Sequence, residues 1–166
     1  EIYTLSLHDA LPISGRRGDW IRVDGENISA LTIERVLRRC PGVVAAAVYA
    51  VPDPRSGDQV MAAIEVADPQ RFDTAALAAR LVKQNDLGRK GIPRLLRLSA
   101  DLPVTGSNKV LKRDLQAQLW YTDDPVYRWV GRGRPEYRPM GETDKRLLAE
   151  EFTAHDRQRY LSGHGP

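Results

Sequence analysis

The apolar positions of this chain change period several times, and each change marks an element. Trp20, Ile21 and Val23 read as a strand, and Asp24-Gly25 behind them is a tight-turn pair. Ser29 is placed to cap a helix. Ile33, Val36, Leu37 and Cys40 recur at i, i+3, i+4 and i+7, which predicts one buried helix face over residues 30–40. Pro41-Gly42 ends that helix. The run VVAAAVYAV (43–51) is continuously apolar and of strand length, PDPRSGD (52–58) is a turn, and QVMAAIEVA (59–67) is the next strand. These two are expected to pair antiparallel. Asp73 caps a second predicted helix over 74–85, with Phe72 and Leu77 spaced as a hydrophobic staple. Gly91-Ile92-Pro93 breaks the chain, and RLLRLSA (94–100) reads as a further strand. A polar loop, DLPVTGSN, leads into KVLKRDLQAQLW, where Leu111, Leu115 and Leu119 line one helix face.

Residues 19–119 thus read strand, helix, strand, strand, helix, strand, helix. That order predicts an α+β domain, a small antiparallel or mixed sheet with helices packed on it. Past Trp120 the composition shifts. YTDDPVYRWVGRGRPEYRPMG is rich in Pro, Gly and Arg and reads as an extended surface segment. A last helix over about 144–160 carries Leu147, Leu148 and Phe152, and the final SGHGP is expected to fray.

Composition narrows the classes. With 28% charged and 42% hydrophobic residues the chain is an ordinary globular one, and no apolar run is long enough to span a bilayer. The net charge is +3, and residues 1–14 hold Glu1 and Asp9 but no base. Lys and Arg are scattered, which favours solvated surface over a nucleic-acid interface. Cys40 is the only cysteine, so an internal disulfide and a cysteine zinc site are excluded; its place on an apolar helix stripe predicts burial. The three histidines are His8, His155 and His164, so residues 15–154 offer no material for a histidine triad or a histidine-rich metal site. No metal ligand is assigned.

The segment with most chemical content is LPVTGSNKVLKRDL (102–115). A short turn delivers Lys109 to the edge of a helix, with Lys112 one turn on. A lysine there projects its ammonium toward an anion brought by a ligand or partner. Taken alone, the same spacing also fits two solvated lysines.

A second stretch, GRRGDWIRVDGENISALTIERVLRRCPGVVAAAVYAVPDPRSGD, resembles the start of the C-terminal subdomain of adenylate-forming enzymes: acyl-CoA synthetases, luciferases and adenylation domains of peptide synthetases. The matching features are Gly15-Arg16, Asp19, Gly25-Glu26-Asn27, Ile33-Glu34, a valine-rich strand and VPDPRSGD. Further on, Pro103-Val104-Thr105-Gly106-Ser107-Asn108-Lys109 is similar to the family's Pro-Arg-Thr-Gly-x-x-Lys segment. The resemblance covers residues 15–119 well and the Tyr-Arg-Pro tail less well; GDWIRVDGEN and that tail are most similar to the fatty-acid and very-long-chain branch.

The resemblance implies a C-terminal portion of a fatty-acid CoA ligase. Such an enzyme uses ATP to adenylate a carboxylate and then forms a thioester with CoA, with Mg2+ held mainly by an N-terminal adenylation domain in cis. This chain alone is expected to be inactive. Lys109 aligns with the family's catalytic cation, set between carboxylate and triphosphate. Arg16 aligns with a residue near the nucleotide. Gly25, Glu26 and Asn27 form the turn presented to CoA once the subdomain rotates about a hinge, where glycine lets backbone approach the pantetheine arm. Lys112 is read as structural. Fatty acid, ATP and CoA are the implied ligands. A cytoplasmic location is implied, with peripheral membrane association left open and nucleic acid not expected. Two positions depart from the family pattern. The hinge residue, usually Asp or Lys, falls on Gly18, and the residue before the lysine, usually Gly, is Asn108, which tolerates left-handed backbone.

Residues 1–14, EIYTLSLHDALPIS, fit no element, and reverse-translated they resemble a short-read sequencing adapter. The expected organisation is therefore an adapter-derived stretch over 1–14, the subdomain over 15–119 and an extension over 120–166. Two alternatives stay open: a subdomain of an adenylate-forming enzyme that loads a carrier protein, and a small basic nucleic-acid-binding module.

Overall fold

A computed structural model of the chain describes residues 19–131 and 133–162. It bears out an α+β fold with a mixed sheet. Strand β1 (Trp20–Val23) turns through Asp24-Gly25 into β2 (Glu26–Ser29), a hairpin partner that the sequence pattern does not separate from the helix cap. Asp24 and Gly25 both have positive φ, +47° and +80°, as a two-residue hairpin turn with the twist of its strands requires. Ser29 then caps α1 (Ala30–Arg38), its hydroxyl accepting the Thr32 N–H at 3.3 Å. Ile33, Val36, Leu37 and Cys40 are buried, as their spacing predicts.

The main sheet has the order β3-β4-β5-β6-β7. Strand β3 (Val43–Pro52) pairs antiparallel with β4 (Asp58–Val66), which pairs parallel with β5 (Leu95–Ser99). Between β4 and β5 lie α2 (Thr74–Leu81), capped by Asp73, and a single turn, α3 (Gly88–Gly91). The predicted helix over 74–85 stops at Leu81, and residues 82–85 add no apolar side chain to the core; Val82 is exposed.

The continuous apolar runs of β3 and β4 have a simple cause: both faces of the sheet are covered. Ala46, Val48, Val60, Ala62 and Ile64 point to one face with α1 and α2. Ala47, Tyr49, Val51, Met61 and Ala63 point to the other. That second layer contains α4 (Lys112–Gln118) and α5 (Glu142–Ala154), through Leu115, Leu148 and Phe152. Alternation within a strand thus sorts side chains between two apolar layers, so hydropathy never alternates.

The segment expected to run over the surface after Trp120 instead supplies β6 (Val126–Trp129) and β7 (Tyr137–Pro139), which extend the sheet past β5. Trp120 and Phe152 are fully buried, and Tyr137 donates its hydroxyl to the Pro93 carbonyl at 2.9 Å. Gly and Pro in this stretch shape the turns of a short edge hairpin. The last helix is also shorter than predicted and presents Leu148 and Phe152 inward while Leu147 stays exposed. A single 3-10 turn, Gln158–Leu161, follows it.

Candidate active site

Lys109 lies in a loop tied by its own backbone. At its base the Leu111 N–H donates to the Pro103 carbonyl at 2.8 Å, and Val104 and Val110 form an isolated antiparallel bridge. Inside it, the Thr105 N–H donates to the Lys109 carbonyl at 2.8 Å and the Asn108 N–H to the Thr105 carbonyl at 2.9 Å. The Thr105 hydroxyl oxygen accepts the Lys109 N–H at 3.2 Å and lies 3.0 Å from the Ser107 hydroxyl. Asn108 adopts φ +58°, a left-handed geometry that asparagine tolerates better than most residues. The result is a closed, hydrogen-bonded loop with the Lys109 side chain exposed on it. Among the described residues its ammonium makes no ion pair, so its charge is available to an incoming anion.

Lys112 behaves differently. Its Nζ sits 2.6 Å from Glu34 Oε1 and 3.9 Å from Asp19 Oδ1. Glu34 is 2% exposed, yet both carboxylate oxygens are engaged. Oε1 also accepts the Val48 N–H at 2.9 Å, and Oε2 accepts Arg38 at 3.3 Å. A buried carboxylate with this many donors is compensated, as burial of a charge demands.

The Gly25-Glu26-Asn27 turn stands on the hairpin between two open clefts. One, of about 560 Å3, is lined by Trp20, Glu26, Asn27, Thr32 and Lys90. The other, of about 1290 Å3, is lined in part by Asp24, Arg55, Arg89, Arg94 and Arg128. A Cβ built on Gly25 would meet nothing within 4 Å, so the space outside the turn is free for a ligand. Glu26 is paired with Lys90 at 2.6 Å. Among the described residues no hydrogen bond or ion pair joins this turn to the Lys109 loop. Arg16 and Gly18 lie outside the described residues. No three His, Cys, Asp or Glu side chains among the described residues come together as a metal site.

Residues 32–109 match the model of the AMP-binding enzyme C-terminal domain, a match that ends on Lys109 itself. Over those residues the chain is an AMP-binding enzyme C-terminal domain. Among curated proteins it is 67% identical over 148 residues to a steroid-22-oyl-CoA synthetase of Rhodococcus jostii, covering 89% of this chain and 27% of that one. It is 51% identical over 114 residues to the medium/long-chain-fatty-acid–CoA ligase FadD17 of Mycobacterium tuberculosis, covering 69% of this chain and 23% of the relative. Among solved structures, ATP-bound MatB from Rhodopseudomonas palustris superposes with a TM-score of 0.55 at 29% identity, over 61% of this chain and 20% of that one. The chain therefore spans about a quarter of the curated relatives it matches. Both of these curated relatives are named for joining CoA to an acid, one as a synthetase and one as a ligase.

Within this AMP-binding C-terminal domain, Glu34 is a residue that sequence reasoning named only as part of a pattern and gave no role. Its signal is visible afterwards: it is an acid next to Ile33 on the buried side of α1, with Arg38 one turn away.

Proposed function

We propose that the full-length enzyme carrying this chain is an ATP-dependent acyl-CoA ligase and that Lys109 is its adenylation cation. In the first step a carboxylate oxygen attacks the α-phosphorus of ATP, and the bond to pyrophosphate breaks. In the second the thiol sulfur of CoA attacks the acyl carbonyl, its proton is lost, and AMP leaves. Two anions must meet in the first step. An ammonium held between them offsets their repulsion and the charge that develops on the transferring phosphate. The observation that carries this reading is the loop itself, which holds Lys109 exposed and without an ion-pair partner among the described residues. The chain supplies a lid, and on its own it catalyses neither step.

The Gly25 turn serves the second step in this reading. Its open flank admits a slim pantetheine arm, and the arginines of the larger cleft suit the phosphates of CoA. In the full-length enzyme, Gly25→Val is expected to slow thioester formation on the order of tenfold and leave adenylate formation nearly unchanged, since a β-branched residue resists φ +80° and fills the approach. Equal slowing of both steps, or of neither, would remove the turn from this role.

The sequence favours a fatty acid as the substrate. The higher identity to the steroid-22-oyl-CoA synthetase favours a second acyl class, a steroid side-chain carboxylate. ATP–pyrophosphate exchange by the unaltered full-length enzyme separates them when run with both acids, since the preferred one supports the faster exchange.

A further inference from the structure

The start of α4 is fastened at two points, first to Glu34 of α1, whose carboxylate also holds β3, and then to β3 itself. Lys112 Nζ meets Glu34 Oε1, the same oxygen that holds the Val48 N–H. One turn later Gln116 Nε2 donates to the Ala50 carbonyl at 2.8 Å. Leu115 between them is fully buried. The Lys109 loop closes on this same helix start, with the Leu111 N–H on Pro103 and the Lys112 N–H on the Val110 carbonyl at 3.0 Å. Lys112 is therefore the point where the stem of the loop meets a buried anion, three residues from Lys109.

We propose that Lys112 is a positioning residue: its ion pair with Glu34 sets the direction in which loop 103–111 presents Lys109. This rests on the reading of Lys109 given above. Coulombic attraction to a carboxylate 2% exposed is poorly screened by salt, so the tether holds under ordinary conditions. Arg38 does not replace it. Arg38 reaches Glu34 Oε2 from the solvent side and also donates to the Ala46 carbonyl, with no bond to the loop. Loss of Lys112 leaves Glu34 with Arg38 and the Val48 N–H, which keeps the carboxylate compensated while the loop loses its anchor. Lys112 Nζ also lies near Asp19, so the same side chain links the loop to the first described residue of the lid.

The test is Lys112→Met, with Lys112→Arg as the conservative variant. In the 166-residue chain, hydrogen exchange at the Thr105 and Leu111 amides is expected to quicken at least about tenfold in the Met variant, as local opening becomes easier. Ala62 and Ile64 in β4 should keep their protection. In the full-length enzyme, adenylate formation should fall on the order of tenfold to a hundredfold, the cost of a misplaced reacting group. Thioester formation from supplied acyl-adenylate should stay within about twofold, and the Arg variant should recover most of the loss. Unchanged exchange and adenylation, or equal loss of both steps, would overturn the proposal. Should the Met variant unfold, Lys112→Gln, which keeps a neutral donor at Glu34, carries the same comparison. Full adenylation by Lys109→Ala would instead refute the role of Lys109 and leave the exchange result for Lys112 standing.

Discussion

Alanine at position 109 is expected to lower adenylate formation by the full-length enzyme by about 10²–10³-fold, the usual cost of removing a positioned charge donor from a transition state. Thioester formation from supplied acyl-adenylate should survive, because the repulsion that Lys109 offsets exists only while carboxylate and triphosphate approach. The split between the half-reactions is the diagnostic. It separates a cation that acts in one step from a side chain that merely holds the loop, since loop damage would also move stability. Few contacts argue for the second case: the hydrogen bonds of the loop come from the Lys109 backbone, and its side chain is exposed. Arginine at 109 should recover little, because a broad planar guanidinium does not replace a compact point charge on a flexible stem. ATP–pyrophosphate exchange and single-turnover thioester formation measure the two halves. Equal loss in both would refute the assignment.

The second large effect concerns the extension. Phe152→Ala is expected to destabilise the chain by about 3–5 kcal/mol, the range for removing a buried aromatic ring. Phe152 is fully buried and packs against Trp120, with ring centroids 5.9 Å apart and planes tilted by 34°. The same layer holds Leu115 of α4 and Met61 of β4, so the cost falls on the elements that carry the Lys109 loop. Leu147→Ala, five residues earlier on α5 and exposed, should change stability by no more than about 0.5 kcal/mol. Urea unfolding of both variants gives the comparison. Similar small losses in the two would mean that α5 is peripheral to the core.

The contrast between Leu147 and Phe152 also shows where the sequence was informative. Helix α1 was legible residue by residue, since its cap, its i, i+3, i+4, i+7 face and its Pro-Gly stop agree. The runs forming β3 and β4 were legible as strands because Val-rich runs of that length have few other uses. Their two-sided burial was not, since it depends on α4 and α5 folding back from far along the chain. Strands β6 and β7 were missed for a related reason. They are four and three residues long, set among Pro, Gly and Arg, and they become strands because β5 offers an open edge. That Lys109 projects from a tight loop and that Asn108 turns left-handed were readable from the loop sequence, whereas a role for Lys109 came only from the resemblance. Glu34 was quoted only as part of a pattern, because a buried carboxylate looks like any surface acid until its donors, from Val48 and Lys112, are brought to it.

The decisive measurement is a crystal structure of the full-length enzyme with a non-hydrolysable acyl-adenylate analogue and no CoA. Lys109 Nζ is expected within about 3.2 Å of an oxygen at the reacting centre, the reach of a charge-assisted hydrogen bond. A different cation in that place, with Lys109 directed into solvent, would contradict the role given to it.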